Sequence, residues 1–246
     1  MPGGCFLGCA GWSLPRNAQE RFPGEGKHLE RYAARLPAAE INSSFHRPHS
    51  RATYERWAAS VPPQFRFSVK LPRAITHERG LRDCEPLLDE FLAQATGLGD
   101  RLGCLLAQLP PKLAFDAAVA GSFFDALRRR WLGALAAEPR HATWFDAPAN
   151  ALLAQRHVAR VLADPVRHAG GERPAGWTAL TYLRLHGSPR TYYSSYGDDV
   201  LAALALRIGL ALRENQTVWC IFDNTASGAA THNALNLQQQ LGKELG

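Results

Sequence analysis

Two rhythms alternate along this chain. Short apolar runs of four to six residues are followed by longer stretches in which apolar residues return at i, i+3 and i+4. The runs predict strands over 5–9, 38–42, 65–70, 104–108, 134–138, 161–164, 180–185 and 218–222. The longer stretches predict helices over 29–36, 51–59, 83–98, 117–131, 147–159, 198–213 and 229–241. Leu87, Leu88, Phe91 and Leu92 show the helical spacing clearly. Successive strands begin about 19 to 39 residues apart, the spacing of parallel strands joined by crossover helices. No Pro-, Gly- or Ser-rich linker separates two halves. The expectation is α/β, one domain over residues 1–246, a single (β/α)8 TIM-type barrel.

Two segments fit this pattern badly. Residues 134–138 are rich in alanine and poor in strand formers. Residues 165–177 are too short and too rich in Gly and Pro for a crossover helix, so irregularity is expected after the sixth strand. An open doubly wound sheet is disfavoured, because the glycines of Gly8-Cys9-Ala10-Gly11-Trp12 lack the spacing of a phosphate loop.

Composition narrows the function classes. With 46% hydrophobic and 20% charged residues the chain is globular in type, neither disordered nor fibrous. No apolar run approaches the roughly 18 residues of a membrane span. No basic segment followed by an apolar one opens the sequence, so a cytoplasmic location is expected. Five cysteines, odd in number and without a CxxC pair, read as structural thiols. The net charge of +6 invites a nucleic-acid partner. That reading is not favoured: the surplus is spread evenly over both halves, and Arg outnumbers Lys 24 to 4 throughout. The one dense cluster, Arg128-Arg129-Arg130, falls at a predicted helix end, where cations complement the dipole. A small anionic ligand fits the charge, and no membrane association is expected.

The polar residues carry the chemistry. In a barrel the reactive groups sit at the carboxyl ends of the strands. Here those ends read Glu40-Ile41-Asn42, Lys70, Gln108, Glu138 with Arg140 and His141, Asp164, Arg184 with His186, and Asp223-Asn224. For Asp164 and Asp223 helix capping explains the residue equally well. Lys70 and Arg184 interrupt apolar strands, where a charge without a partner is costly.

These residues also carry a resemblance. Gly8-Cys-Ala-Gly-Trp12, Ala39-Glu-Ile-Asn-Ser-Ser-Phe45, Phe67-Ser-Val-Lys70 with Thr76-His77, and Gln108-Leu-Pro-Pro111 are similar to motifs of the YecE-like family, domain-of-unknown-function family 72. So are Glu138-Pro-Arg-His141 with Trp144, Leu183-Arg-Leu-His-Gly187, and Asn224-Thr225 with Gly228 and Asn233-Ala234. The resemblance covers nearly the whole chain, departing at Pro139 and around residues 17–22. It implies a TIM-type barrel and no particular reaction.

The constellation predicts an enzyme for a small phosphorylated or carboxylated compound, using hydrolytic or lyase-type acid/base chemistry. Glu40, Lys70, Glu138 and His186 are the candidate catalytic residues. Glu40 or Glu138 would move protons, and Lys70 would be a desolvated amine or a cation paired with Glu40. Arg140 and Arg184, with His186, would clamp the anion. Arg184→Lys would on that reading lower affinity and barely change melting temperature. Gly187 and Asn224 would open phosphate loops at the last two strands, and Trp12, Asn42, His77, Gln108 and Tyr193 would complete the substrate site. Trp12, Phe45, Trp144, Tyr192, Tyr193 and Tyr196 are expected over the mouth, with 188–197 as a lid. No cofactor is predicted. A metal-dependent nuclease- or isomerase-like barrel, with Glu40, Glu138, Asp164 and His186 as ligands, is the alternative, as is a non-catalytic binding module. The metal reading is disfavoured, because no HxH or HExxH spacing occurs and three cations sit nearby.

Overall fold

The computed structural model describes residues 4–245. Ten strands form one sheet: β1 (Cys5–Ala10), β2 (Ala38–Ile41), β3 (Arg66–Lys70), β4 (Leu102–Gln108), β5 (Ala134–Glu138), β6 (Ala159–Arg160), β7 (Leu162–Asp164), β8 (Ala175–Gly176), β9 (Leu180–Leu185) and β10 (Thr217–Phe222). Their order is β7-β9-β10-β1-β2-β3-β4-β5-β6-β8, parallel throughout except for β6 against β8. Seven helices flank it: α1 (His28–Ala33), α2 (Arg51–Ala59), α3 (Glu85–Ala95), α4 (Ala117–Arg130), α5 (Ala147–Gln155), α6 (Asp198–Arg213) and α7 (Ala229–Leu245).

The expected closed eight-stranded (β/α)8 TIM-type barrel is not what the chain forms. The sheet is a curled half-barrel whose ladder has two ends, β7 and β8. The single sixth strand expected over 161–164 is divided. Residues 159–160 pair with β5, and the chain then steps across to pair residues 162–164 with β9. The cause lies in the segment rich in Gly and Pro that follows. No helix connects β7 to β9. In its place the 165–174 loop is held by Arg160, which donates to the carbonyls of Gly170 and Arg173 and to Asn150 Oδ1. The antiparallel β8 then covers the edge of β6.

Two apolar layers support the sheet. The outer one packs strands against helices, with Phe67, Leu105, Phe124 and Leu201 among its members. The inner one is small: Ala38, Cys104, Ala136 and Ala159 surround Tyr182 and Trp219, whose rings stack 6.0 Å apart. Alanine on β5 is thus a packing requirement, since larger side chains would meet these two rings. Close approach also explains Gly8. Tyr32 of α1 ties β1 to β2, its hydroxyl accepting from Cys9 N and donating to Ala38 O, and a Cβ on Gly8 would be driven into that carbonyl.

The basic end of α4 is consumed by the fold. Arg128 donates to the carbonyls of Gly133, Arg156 and His157, and Arg130 reaches Asp89 at 2.6 Å. Among the described residues no helix is long and apolar enough to cross a membrane.

Candidate functional site

Side chains alternate across a strand, so β9 and its continuation send Tyr182, Arg184 and His186 to the inner face. The curl brings them against Glu40 of β2, Ser68 and Lys70 of β3, Gln108 of β4, Glu138 of β5 and Asp223, which follows β10. The cluster rises in tiers above the Tyr182–Trp219 stack. The Tyr182 hydroxyl donates to Glu40 Oε2 at 2.9 Å and lies equally close to Ser68 Oγ.

Arg184 occupies the next tier and is 1% exposed. Its Nε and Nη2 fork onto the two oxygens of Glu40 at 3.0 and 2.7 Å. Its Nη1 donates to Glu138 Oε2 at 2.9 Å, and Nη2 lies 3.1 Å from Asp223 Oδ2. Four of the five guanidinium N–H groups are thus engaged by three protein carboxylates. Glu138 also receives Gln108 Nε2 at 3.2 Å and Arg140 Nη2 at 2.7 Å.

Both ring nitrogens of His186 face carboxylates: Nδ1 is 2.9 Å from Asp223 and Nε2 is 2.9 Å from Glu138. Arg140 Nη2 is 3.2 Å from that Nε2, but Glu138 takes the Arg140 proton at shorter range, leaving the ring free to donate. Burial disfavours charge on His186, yet Glu138 and Asp223 outweigh it and raise its pKa. Burial likewise works against the charge of Glu138 and Asp223. Arg184 and His186 prevail, holding Glu138 well below the usual carboxylate range and lowering Asp223. With His186 protonated, Arg184, Arg140 and His186 match Glu40, Glu138 and Asp223 charge for charge.

Lys70 stands outside this match. It is 6% exposed, and among the described residues no carboxylate lies within 4.0 Å of its ammonium. The expected pairing with Glu40 is absent, because Arg184 has taken both oxygens. Lys70 Nζ instead sits over the face of Phe45, 3.9 Å from its centroid. Burial lowers its pKa to about 8, with Arg184 acting in the same direction and the three carboxylates opposing. His77, packed edge-on against Phe45 at 4.8 Å, has its pKa lowered by burial and then by Lys70, Arg73, Arg140 and Lys112. The field at the mouth is positive.

The network makes the fold pH-dependent. Glu138 and Asp223 have folded pKa values below their unfolded 4.5 and 3.8. Their contribution to stability is complete above those values and is lost as pH falls through the folded ones. His186, raised above 6.5, contributes below that value and loses its contribution as pH rises through its folded pKa. Melting temperature is expected to be several degrees lower at about pH 3 than at neutral pH. Calorimetry that finds it flat from neutral pH down to that point refutes the stabilising role of this network.

Other predicted residues lie elsewhere or are otherwise engaged. Gly187 N donates to the Tyr196 hydroxyl, which in turn donates to Asp164 Oδ1 at 2.7 Å. Its positive φ of 93° and the Ser194 carbonyl close to where a Cβ would stand make it a packing glycine. Asn224 donates to Ser194 O and Asn233 Oδ1, both at 2.9 Å, so the 188–197 loop is pinned to the turn before α7 rather than free as a lid. Tyr192 and Tyr193 stay exposed. Trp144 is buried against Phe115, its indole bonded to Leu113 O. Trp12 packs edge-on against Trp57 and Phe67. Asn42, which follows β2, has a buried Oδ1 with no partner. Asp223, a strand end that helix capping explained equally well, belongs to the network, and two further participants, Tyr182 and Ser68, had no role in the sequence analysis. Both were legible, being two residues before Arg184 and Lys70 on the same strand faces. No group of three or more His, Cys, Asp or Glu side chains among the described residues is arranged to hold a metal ion.

A small hollow of about 20 Å³, room for roughly one water molecule, opens beside the network, bordered by Arg140 and His186 and lined by Pro139, Phe145, Val161, Ala163 and Pro165.

Comparison with known proteins assigns the family. The chain is 28% identical over 165 residues to UPF0759 protein YecE of Escherichia coli (strain K12), a match covering 65% of this chain and 58% of the relative. It is 22% identical to UPF0759 protein YunF of Bacillus subtilis (strain 168), covering 96% of this chain and 94% of that one. In fold it is similar to a DUF72 family protein of Thermotoga maritima MSB8, with a TM-score of 0.80, 24% identity and coverage of 97% and 99%. A DUF72 family protein of Enterococcus faecalis V583 superposes with a TM-score of 0.78 at 20% identity, covering 98% of both chains. The family described as protein of unknown function DUF72 matches residues 6–246, and the chain belongs to it.

Proposed function

We propose that the chain is an enzyme acting on a small anionic compound at the carboxyl ends of its strands, with proton chemistry of the lyase or hydrolase kind. The observation that carries this reading is the unmatched charge of Lys70. A buried cation is costly without a partner, and the carboxylates within the cluster are already neutralised by Arg184, Arg140 and His186. A ligand carboxylate or phosphate supplies the missing charge, with Arg140, half-buried at the cavity, as a second contact.

Glu40 and Glu138, committed to Arg184, are poor proton carriers in this arrangement. Lys70 as base and His186 as donor take those roles, since burial lowers the pKa of Lys70 to about 8 while Glu138 and Asp223, working against burial, raise that of His186. A thermal-shift panel of small carboxylates and phosphates tests the reading. A true ligand at a hundred times its Kd stabilises by about 2.7 kcal/mol, uncharged analogues give no shift, and Lys70→Met removes it. Absence of a shift with any anion, or a shift that survives Lys70→Met, refutes the proposal.

A further inference from the structure

We propose that Lys70 forms an imine with its substrate, which makes that substrate a small carboxylic acid bearing a ketone or aldehyde. This rests on the anion reading above and goes one step further, from the charge of Lys70 to its lone pair. The chain uses Arg 24 times and Lys four times. Where it needs a fixed buried cation it employs the permanently charged fork, as at Arg184 and Arg160. Of the four lysines, Lys27, Lys112 and Lys243 are exposed, and Lys70 alone is buried. A side chain that can discharge stands at the position where the charge is unpaired.

The surroundings suit a neutral amine. Nζ rests on an aromatic face, and among the described residues no acceptor holds its protons. The charged and titratable groups around it are Arg184, Glu40, Glu138 and Asp223 from the inner cluster, with His77 and Arg140 at the mouth. Burial and Arg184 outweigh the carboxylates, so the amine is about half discharged near pH 8. Its backbone is fixed by Ser44 Oγ, which donates to Lys70 O at 2.7 Å, and by the bond from Leu71 N to Leu106 O. Asn42 follows the last β2–β3 register pair, as Lys70 does, and its orphaned Oδ1 offers an acceptor for a hydroxyl formed there.

The step balances without a co-reactant. The Lys70 nitrogen attacks the carbonyl carbon, the C=O becomes C=N, and the oxygen departs as water with the two amine hydrogens. No electrons are transferred.

The test treats the whole protein at about pH 8 with glyoxylate, pyruvate or 2-oxoglutarate and sodium borohydride, then maps the four lysine peptides. The expected result is a reduced adduct on Lys70 on the order of tenfold above Lys27, Lys112 and Lys243, because ordinary lysines are almost fully protonated there. Lys70→Arg, which keeps the charge, should lose the adduct and retain the thermal shift. Glycolate and lactate, which replace the carbonyl by a hydroxyl, separate the two claims. If they and the oxo acids raise the melting temperature but no adduct forms on Lys70, the imine is overturned and the anion site stands. If neither set raises it and adducts spread over the exposed lysines, both fall.

Discussion

Arg184→Lys is expected to destabilise the protein by about 3–5 kcal/mol, the cost of breaking a buried ion network. For a chain of this size that is a fall of roughly 6–20 °C in melting temperature. The reason is geometric. Arg184 spends Nε and Nη2 on both oxygens of Glu40, Nη1 on Glu138, and a further contact on Asp223. An ammonium on a flexible stem cannot hold three carboxylates from three strands at once. Glu40, wholly buried, would retain only the Tyr182 hydroxyl. This reverses the pattern expected of a substrate clamp, in which affinity falls and stability does not. Thermal melts of the variant decide the matter, with anion binding measured on the folded fraction. An unchanged melting temperature would return Arg184 to the ligand.

The outcome at Arg184 marks where sequence reading succeeds and where it stops. The polar strand ends were legible, because an apolar run that finishes on Glu, Lys or Arg conflicts with its own burial. Alternation along Tyr182–His186 put Arg184 and His186 on one face, and both lie there in the inner cluster. What the sequence could not reveal is who satisfies whom. Arg184 finds its anions on strands about 40 and 140 residues away, and Gly187 and Asn224 are consumed by Tyr196, Ser194 and Asn233. Those are long-range contacts with no local period. Closure of the sheet failed for the same reason. Two- and three-residue strands such as β6 and β7 have too little length to show alternation, and one register step at Val161 decides which neighbour they join.

Lys70→Met is expected to raise stability while abolishing ligand binding. The sign follows from linkage. The folded pKa of Lys70 is about 8 against a reference of 10.5, so folding favours the neutral amine and disfavours the charged one. Below pH 8 the amine is charged in both states and the fold bears the full cost, about 3 kcal/mol as an upper bound. The cost shrinks as pH rises from 8 to 10.5 and vanishes above. Methionine has similar length, no charge, and a sulfur that packs well against an aromatic ring such as Phe45. The variant should therefore melt several degrees higher than the parent at about pH 7, with the gap closing above about pH 10. Such a pattern is what a functional residue leaves behind, since strain held at a working site is relieved by the change that destroys the work. A variant that melts lower than the parent at neutral pH would mean that Lys70 is a structural cation whose partner the fold supplies, and the anion site would lose its foundation.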